Sequence, residues 1–284
     1  MQPDDQHPSL TFSYLALRKA VGWIGILVTV LLAAQACQAQ DLSDNHITVK
    51  ILSFNIYHGA TTRGDYNLDA IARVITDADP DLVALQEVDL NTNRSGHIDL
   101  ATELGIRTHM TPLFGRAMYY DGGEYGEGIL SKYSFITTRN VPLPYTTGNE
   151  PRTALEAVVV VTSGDTISFV GTHFDHLNPE IDRVAQAEKV NEVFTSGPYP
   201  AILAGDLNAQ PGSNPIKILE EIWSASYDKI NPEPTFPSDA PRIKIDYVMH
   251  FPAERWETVE TKVICDSIAS DHCAFLVTLK LLND

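Results

Sequence analysis

Residues 47–56 (ITVKILSFNI) alternate with period two, so that Val49, Ile51, Ser53 and Asn55 share one face and Leu52, Phe54 and Ile56 the other; this predicts a strand that ends on a polar residue. Asn67 then stands as an N-cap before Leu68, Ile71, Ala72 and Ile75 at helical spacing, and Pro80 stops that pattern ahead of a short apolar strand at 82–85. Two further apolar runs, 154–161 and 166–171, flank Ser163-Gly164-Asp165 and read as antiparallel strands around a tight turn. Val184, Ala187, Val190 and Val193 mark a second helix, 201–204 a buried strand, and 243–248 and 274–279 the closing strands. Parallel and antiparallel strands with helices between them predict two packed sheets with helices outside.

The polar residues worth notice gather where these apolar runs end. Asn55 ends the first strand, Glu87 follows 82–86, His173 and Asp175 follow 166–172, Asp206 and Asn208 follow 201–205, and Asp271-His272 opens the last strand. Side chains two apart on extended backbone share a face, which pairs Asp206 with Asn208 and His173 with Asp175. Each has an ordinary use when taken alone: Asn55 in a turn, Glu87 as a solvated carboxylate, Asp206 and Asn208 as a loop cap.

Taken together, SFNI (53–56), LQEVD (85–89), GTHFDH (171–176), GDLNAQP (205–211), KIDYV (244–248) and SDHCAF (270–275) resemble, in order and spacing, the endonuclease/exonuclease/phosphatase superfamily, the deoxyribonuclease I-like fold. The resemblance covers about residues 46 to 280. It implies an α/β four-layered sandwich of two mixed β-sheets flanked by helices, with a site at one edge of the sheets and a divalent cation, Mg²⁺ or Mn²⁺. It also implies that Glu87 is the principal metal ligand, with Asn55 and Asp271 close by. Asp206 and Asn208 match the pair that positions water and phosphate, His272 the catalytic histidine oriented by Asp246, and His173 the second histidine that stabilises the transition state or protonates the leaving oxygen.

Elementary chemistry agrees with that set. A hard cation of the magnesium type takes oxygen ligands and keeps several waters, so one or two carboxylates and an amide suffice. Hydrolysis then needs a base and an acid, roles that two imidazoles can divide. Arg152, just before a strand, reads either as a fork for a phosphate oxygen or as a surface arginine. Residues 125–131 resemble the family's glycine-containing strand, with Glu127 where Asn or a small residue is common, which leaves open whether Glu127, Glu124 or neither supports His173. A rival reading takes 171–176 as the HxHxDH signature of a zinc metallo-hydrolase, but Gly171 occupies the place of the first histidine. A catalytically silent binding module on the same fold would lack a metal acid or a histidine, and none is missing.

The N-terminus changes the domain picture. Arg18 and Lys19 precede an apolar stretch at 20–34 and small or polar residues at 35–40, the order of a secretory signal, with a retained anchor as the alternative. Ala36-Cys37 also resembles a lipoprotein cleavage site. The expected division is therefore a signal peptide or N-terminal anchor at 1–39 and one catalytic domain at 40–284, outside the cytoplasm, with membrane attachment through the N-terminus as one outcome. Cys265 and Cys273 remain beyond the signal, as two buried thiols or as one disulfide.

The chain of 284 residues has 20 Lys+Arg against 37 Asp+Glu, and its charge of -17 survives removal of 1–39, which takes away two acids and two bases. Such a domain repels a phosphate polymer at long range. The bases near the motifs (Arg94, Lys132, Arg152, Arg183, Lys244) are scattered singles. The expected function is therefore an exported, metal-dependent phosphoesterase, a monomer, that takes a small-molecule or lipid-head-group phosphate ester in preference to nucleic acid. A secreted endonuclease of the same fold is the alternative.

Overall fold

The structure, a computed structural model, describes residues 48–282; the signal or anchor expected at 1–39 lies outside them. Twelve strands among the described residues form two six-stranded mixed sheets. The first contains β1 (Thr48–Asn55), β2 (Leu82–Leu90), β3 (Thr111–Tyr120), β4 (Gly123–Ser131), β11 (Trp256–Ile264) and β12 (Ala274–Leu281), in the order β11-β12-β1-β2-β4-β3. The second contains β5 (Phe135–Pro142), β6 (Thr153–Val160), β7 (Thr166–His173), β8 (Ala201–Asp206), β9 (Ser224–Ala225) and β10 (Asp246–Phe251), in the order β5-β6-β7-β8-β10-β9.

Each sheet has one parallel pair, β1 with β2 and β7 with β8, the rest being antiparallel. A parallel pair needs a crossover, which α1 (Leu68–Ala78) and α3 (Ile181–Phe194) supply. Asn67 caps α1 by accepting from Ala70 N (3.1 Å), as its place in the sequence predicts.

The alternation along β1 becomes layering. Val49 and Ile51 enter the core between the sheets with Ala84, Ile129, Phe169, Ile202, Val248 and Phe275. Leu52 and Phe54 face outward under α1 and α2 (Leu100–Thr108), whose Ile71, Ile75, Leu100 and Leu104 bury them. On the opposite side, Val170, Leu203 and Met249 are covered by Ala187 and Val190 of α3 and by Ile216 and Leu219 of α4 (Asn214–Glu220). The result is helix, sheet, sheet, helix, the four-layered sandwich that the resemblance implies.

The inner face of β1 turns polar at its end. Ser53 and Asn55 continue the row of Val49 and Ile51 and are fully buried, so a polar patch forms at one edge of the inter-sheet core. The carboxyl ends of both parallel pairs meet there, in the register Asn55 opposite Gln86 and His173 opposite Asp206.

Candidate active site

Glu87 lies inside β2, not beyond it as the apolar run 82–86 suggests. The pairing of β2 with β4 slips between Leu85 and Val88, and Glu87 takes a left-handed φ of 58° at that bulge. A bulge re-aims a side chain, and positive φ on a non-glycine residue costs energy that the surrounding sheet must hold. Here the re-aimed carboxylate lines a cavity of about 360 Å³, with Oε1 accepting from Asn55 Nδ2 (3.2 Å) and Oε2 3.5 Å from His58 Nδ1. Burial alone would raise its pKa, but the hydrogen bonds from His58 and Asn55 and the nearby His272 hold it below the ordinary carboxylate range.

Asn55 ties the two sheets together. Its amide also donates to Asp206 Oδ2 (3.2 Å) at the end of β8, and its Oδ1 accepts from Tyr57 N (3.1 Å). Asp206 Oδ1 accepts from Asn208 N (2.9 Å), closing a turn in which Asn208 adopts φ 47°. The predicted partnership of Asp206 and Asn208 is thus made by a turn and not by extended backbone, and both residues line the cavity. His173 and Asp175 part company: His173 lines the cavity, while Asp175 accepts from Leu177 N (2.9 Å) and lies outside the cavity wall.

His272 stands on the loop before β12, held by its backbone N–H to Ser270 Oγ (3.1 Å), which itself donates to the Asn55 carbonyl (2.7 Å). Its Nδ1 lies 3.2 Å from both oxygens of Asp246, a fully buried carboxylate on β10, and its Nε2 lies 3.6 Å from Asp206 Oδ2. Burial would depress this imidazole, yet Asp246, Asp206 and Asp271 outweigh it and push the pKa up to about 10. Burial and Asp246 in turn raise Asp206 to about 7, against the pull of His272. Asp271 is half-buried on the cavity wall; burial and Glu87 raise it, with His272 opposing. Asp206, Asp246 and His272 present ligand atoms within 4.8 Å of one another, but both nitrogens of the imidazole already face carboxylates of that group.

The second histidine is of the opposite kind. Burial, then Arg152, His272 and His176, push His173 well below the usual imidazole pKa, so it is neutral. Arg152 Nη1, which can only donate, lies 2.9 Å from its Nδ1, and Nε2 lies 3.4 Å from Asp206 Oδ2. Asn208 Nδ2, which donates to the Phe174 carbonyl (3.0 Å), stands 3.0 Å from the same Nε2, so donors face both ring nitrogens: the Arg152 contact asks for the proton on Nε2 and the Asn208 contact for the proton on Nδ1.

Arg152 is therefore a buried arginine on the cavity wall, engaged with His173, with His176 Nδ1 (3.4 Å) and with Glu150 (3.4 Å). It stands beside His173 in the supporting position that the sequence left open between Glu127, Glu124 and neither, and the outcome is neither. Glu124 pairs with Arg116 (2.7 Å). Glu127 is fully buried without a hydrogen bond to either oxygen, and burial pushes its carboxyl well above the usual range against the pull of Arg152.

The remaining bases sort themselves. Lys244 is buried, donates to the Asp246 carbonyl (3.0 Å) and lies 3.6 Å from the centre of the Phe275 ring; burial lowers it to about 8, with Asp246 and Glu233 opposing. Arg183 is also buried and donates to the carbonyls of Asp175 and Leu177, and Lys132 pairs with Asp79. Of the five bases near the motifs, Arg94 and Arg152 line the cavity.

The zinc alternative fails on space and fold. Gly171 packs against Ala84 between the sheets, where an added Cβ would already come within 3.3 Å of the Ala84 methyl, so no histidine fits at the first ligand position. The thiol alternative also falls, because Cys265 and Cys273 are joined in a disulfide that spans the Asp271-His272 loop.

With this geometry in place, the comparisons with known proteins assign the class. The model of the Endonuclease/Exonuclease/phosphatase family matches residues 52–272. The chain belongs to that family. Similar solved structures include an endonuclease/exonuclease/phosphatase from Beutenbergia cavernae DSM 12333, with 22% identity, TM-score 0.69, and 82% of this chain and 72% of that one covered. One from Bacteroides vulgatus has 22% identity and TM-score 0.67, covering 83% of this chain and all (100%) of that one. A mannosyl-6-phosphatase of Bacteroides thetaiotaomicron VPI-5482 has 18% identity and TM-score 0.63, covering 81% of this chain and 99% of that one. At these identities the likeness concerns the fold.

Proposed function

We propose that the chain is an exported, divalent-metal-dependent phosphoesterase that hydrolyses a compact phosphate ester by in-line attack of water. The observation that carries this reading is the meeting of Glu87 from one sheet and Asp206 from the other with Asp271, a His272–Asp246 pair and a neutral His173 in one cavity. The donors fit a hard dication: Glu87 is anchored by Asn55 yet open to the cavity, and Asp271 nearby is raised by burial and by the Glu87 charge, so the two carboxylates gain from a shared cation. Glu87 and Asp271 would hold Mg²⁺ or Mn²⁺, with Asn55 fixing Glu87 in place. When bound, such an ion polarises phosphoryl oxygens, neutralises developing charge and offsets the negative field that holds His272 protonated.

The chain's own residues do the rest. Asp246 occupies His272 Nδ1, so that Nε2 faces Asp206 and the cavity and takes the proton of the attacking water, which Asp206 and Asn208 position. His173, neutral and engaged by Arg152 at Nδ1, donates a hydrogen bond from Nε2 to a phosphoryl or leaving oxygen in the tautomer that the Arg152 contact favours. Arg152 also adds a fixed positive charge behind the phosphate.

A small-molecule or lipid-head-group ester is favoured over nucleic acid because two arginines, rather than a row of free bases, reach the cavity from the motif region. Export rests on residues 1–39 and is supported by the Cys265–Cys273 disulfide, a bond that persists in oxidising compartments. The test is a panel of phosphomonoesters, phosphodiesters and plasmid DNA assayed with Mg²⁺ or Mn²⁺. Turnover of small esters above plasmid nicking is expected; efficient nicking with no turnover of small esters would transfer the reading to the endonuclease, and turnover undiminished by chelation would overturn the metal.

A further inference from the structure

The cavity has a wall that the proposed chemistry does not use. Arg94 donates through Nε and Nη2 to Asp89 (2.7 and 2.8 Å), whose side chain is fully buried and also accepts from Thr92 Oγ1 (2.6 Å). Its guanidinium lies over the rings of Tyr120 and Tyr125, 4.7 and 5.6 Å from their centres. Tyr125 lines the same cavity as Arg152, so this wall adjoins the phosphate end. A guanidinium clamped at one edge and over two rings, with Nη1 unpaired among the described residues and its side chain 28% exposed, is a preorganised pair of donors.

The charge balance decides what those donors suit. Asp89 neutralises Arg94, and Glu150 stands 3.4 Å from Arg152 on the same wall, so the wall offers donors and a carboxylate acceptor without surplus positive charge. A second phosphate would meet Glu150 and gain little. A hydroxyl group, which donates and accepts at once, matches both. Tyr120 and Met118 add apolar surface for the C–H face of a ring. The volume, about 360 Å³, is near the lower end of ligand pockets and holds a phosphate with one small ring rather than a length of polymer.

We infer that the Arg94, Tyr120 and Glu150 wall binds the hydroxyl groups of the substrate's alcohol, and that this alcohol is a monosaccharide or cyclic polyol carrying one phosphate. The inference rests on the phosphoesterase reading for the position of the phosphate. A site built to hydrogen-bond hydroxyls discriminates steeply against an analogue that lacks them.

The experiment compares glucose 6-phosphate, mannose 6-phosphate, propyl phosphate and AMP in two readouts: kcat/KM with Mg²⁺ on the wild type, and calorimetric affinity on His272→Ala, in which turnover is suppressed. Both are repeated with Arg94→Lys, which keeps a cation against buried Asp89 but removes the planar fork, and with Tyr120→Ala. Expected is a preference of about tenfold or more for a sugar phosphate over propyl phosphate, reduced to about threefold or less in each variant. Equal handling of propyl phosphate, tighter handling of AMP, or a preference that survives Arg94→Lys in folded protein would overturn the inference. If no ester is turned over while the calorimetric preference and its loss in Arg94→Lys hold, the hydrolase reading fails and the sugar site stands.

Discussion

At the residue scale, two buried histidines a short distance from one carboxylate carry different charge. His272 is enclosed by Asp246, Asp206 and Asp271, whereas His173 is faced by Arg152 and by His272 itself. Environment alone pushes two identical side chains apart, the usual way one site acquires two groups with separate acid–base roles. His272→Ala and Asp246→Ala should each reduce turnover by a factor on the order of hundreds, and the double variant should lose little beyond the worse single, because the pair acts as a unit. Steady-state kinetics of the three proteins check this, and additive losses would break the pair apart. For His173, nitrogen chemical shifts should show a neutral ring protonated on Nε2 from pH 7 down to 5 in the wild type, since burial and Arg152 oppose its protonation. In Arg152→Met the ring proton should move to Nδ1, the tautomer that the Asn208 contact favours, and kcat should fall more than KM changes.

At the scale of elements, the site is made by strand ends. The alternation in β1 could be read from residues 49–56, and so could the polar continuation of its inner face through Ser53 to Asn55. What the alternation cannot carry is a bulge: Glu87 looks like the residue after a strand because the apolar run stops, while the ladder continues to Leu90 around it. Strands β5 and β11 are edge strands with mostly exposed residues, so they lack the apolar rhythm that marks a strand in sequence. The support of His173 was illegible for a related reason. An arginine 21 positions away became its neighbour through antiparallel pairing of β6 with β7, whereas the two carboxylates of β4 were suggested by the family resemblance and not by any pairing with β7. The disulfide closes the loop between β11 and β12 on which Asp271 and His272 stand, with Cys265 exposed and Cys273 buried. Cys265→Ser with Cys273→Ser should lower the unfolding free energy by about 2–3 kcal/mol, from the loop-closure entropy of so short a loop, and should reduce kcat by loosening His272. Denaturant melts and kinetics on the double variant check both effects; unchanged kcat would free the loop from that role.

At the scale of the whole molecule, a charge of -17 and an active site crowded with carboxylates raise the question of how the fold answers to pH. His250, on β10 away from the cavity, is buried with Nδ1 unpaired, and burial lowers it from 6.5 to about 4. The unfolded chain binds this proton near pH 6.5 and the folded protein only near 4, so protons favour unfolding in that window. Stability should fall as pH drops from about 6.5 toward 4 and flatten below, for this group. His250→Phe should remove on the order of 2–3 kcal/mol of that acid-side loss, measured by urea melts at pH 7 and pH 4. The same whole-molecule view explains why a site of paired acids is kept at the edge of the sandwich: both sheets contribute to it, and Asn55 joins them by donating to Glu87 and Asp206 at 3.2 Å each.

The central claim is that these acids hold a divalent ion at which a phosphate ester is hydrolysed. The most direct measurement is the rate of hydrolysis of a small phosphate ester by protein stripped with EDTA and then titrated with Mg²⁺ or Mn²⁺, for the wild type and for Glu87→Gln. The account predicts no turnover in EDTA, saturable recovery in the wild type, and in folded Glu87→Gln a recovery that needs at least tenfold more metal, on the order of what one lost carboxylate ligand costs. Full turnover in EDTA, or an identical metal titration in Glu87→Gln, would contradict it.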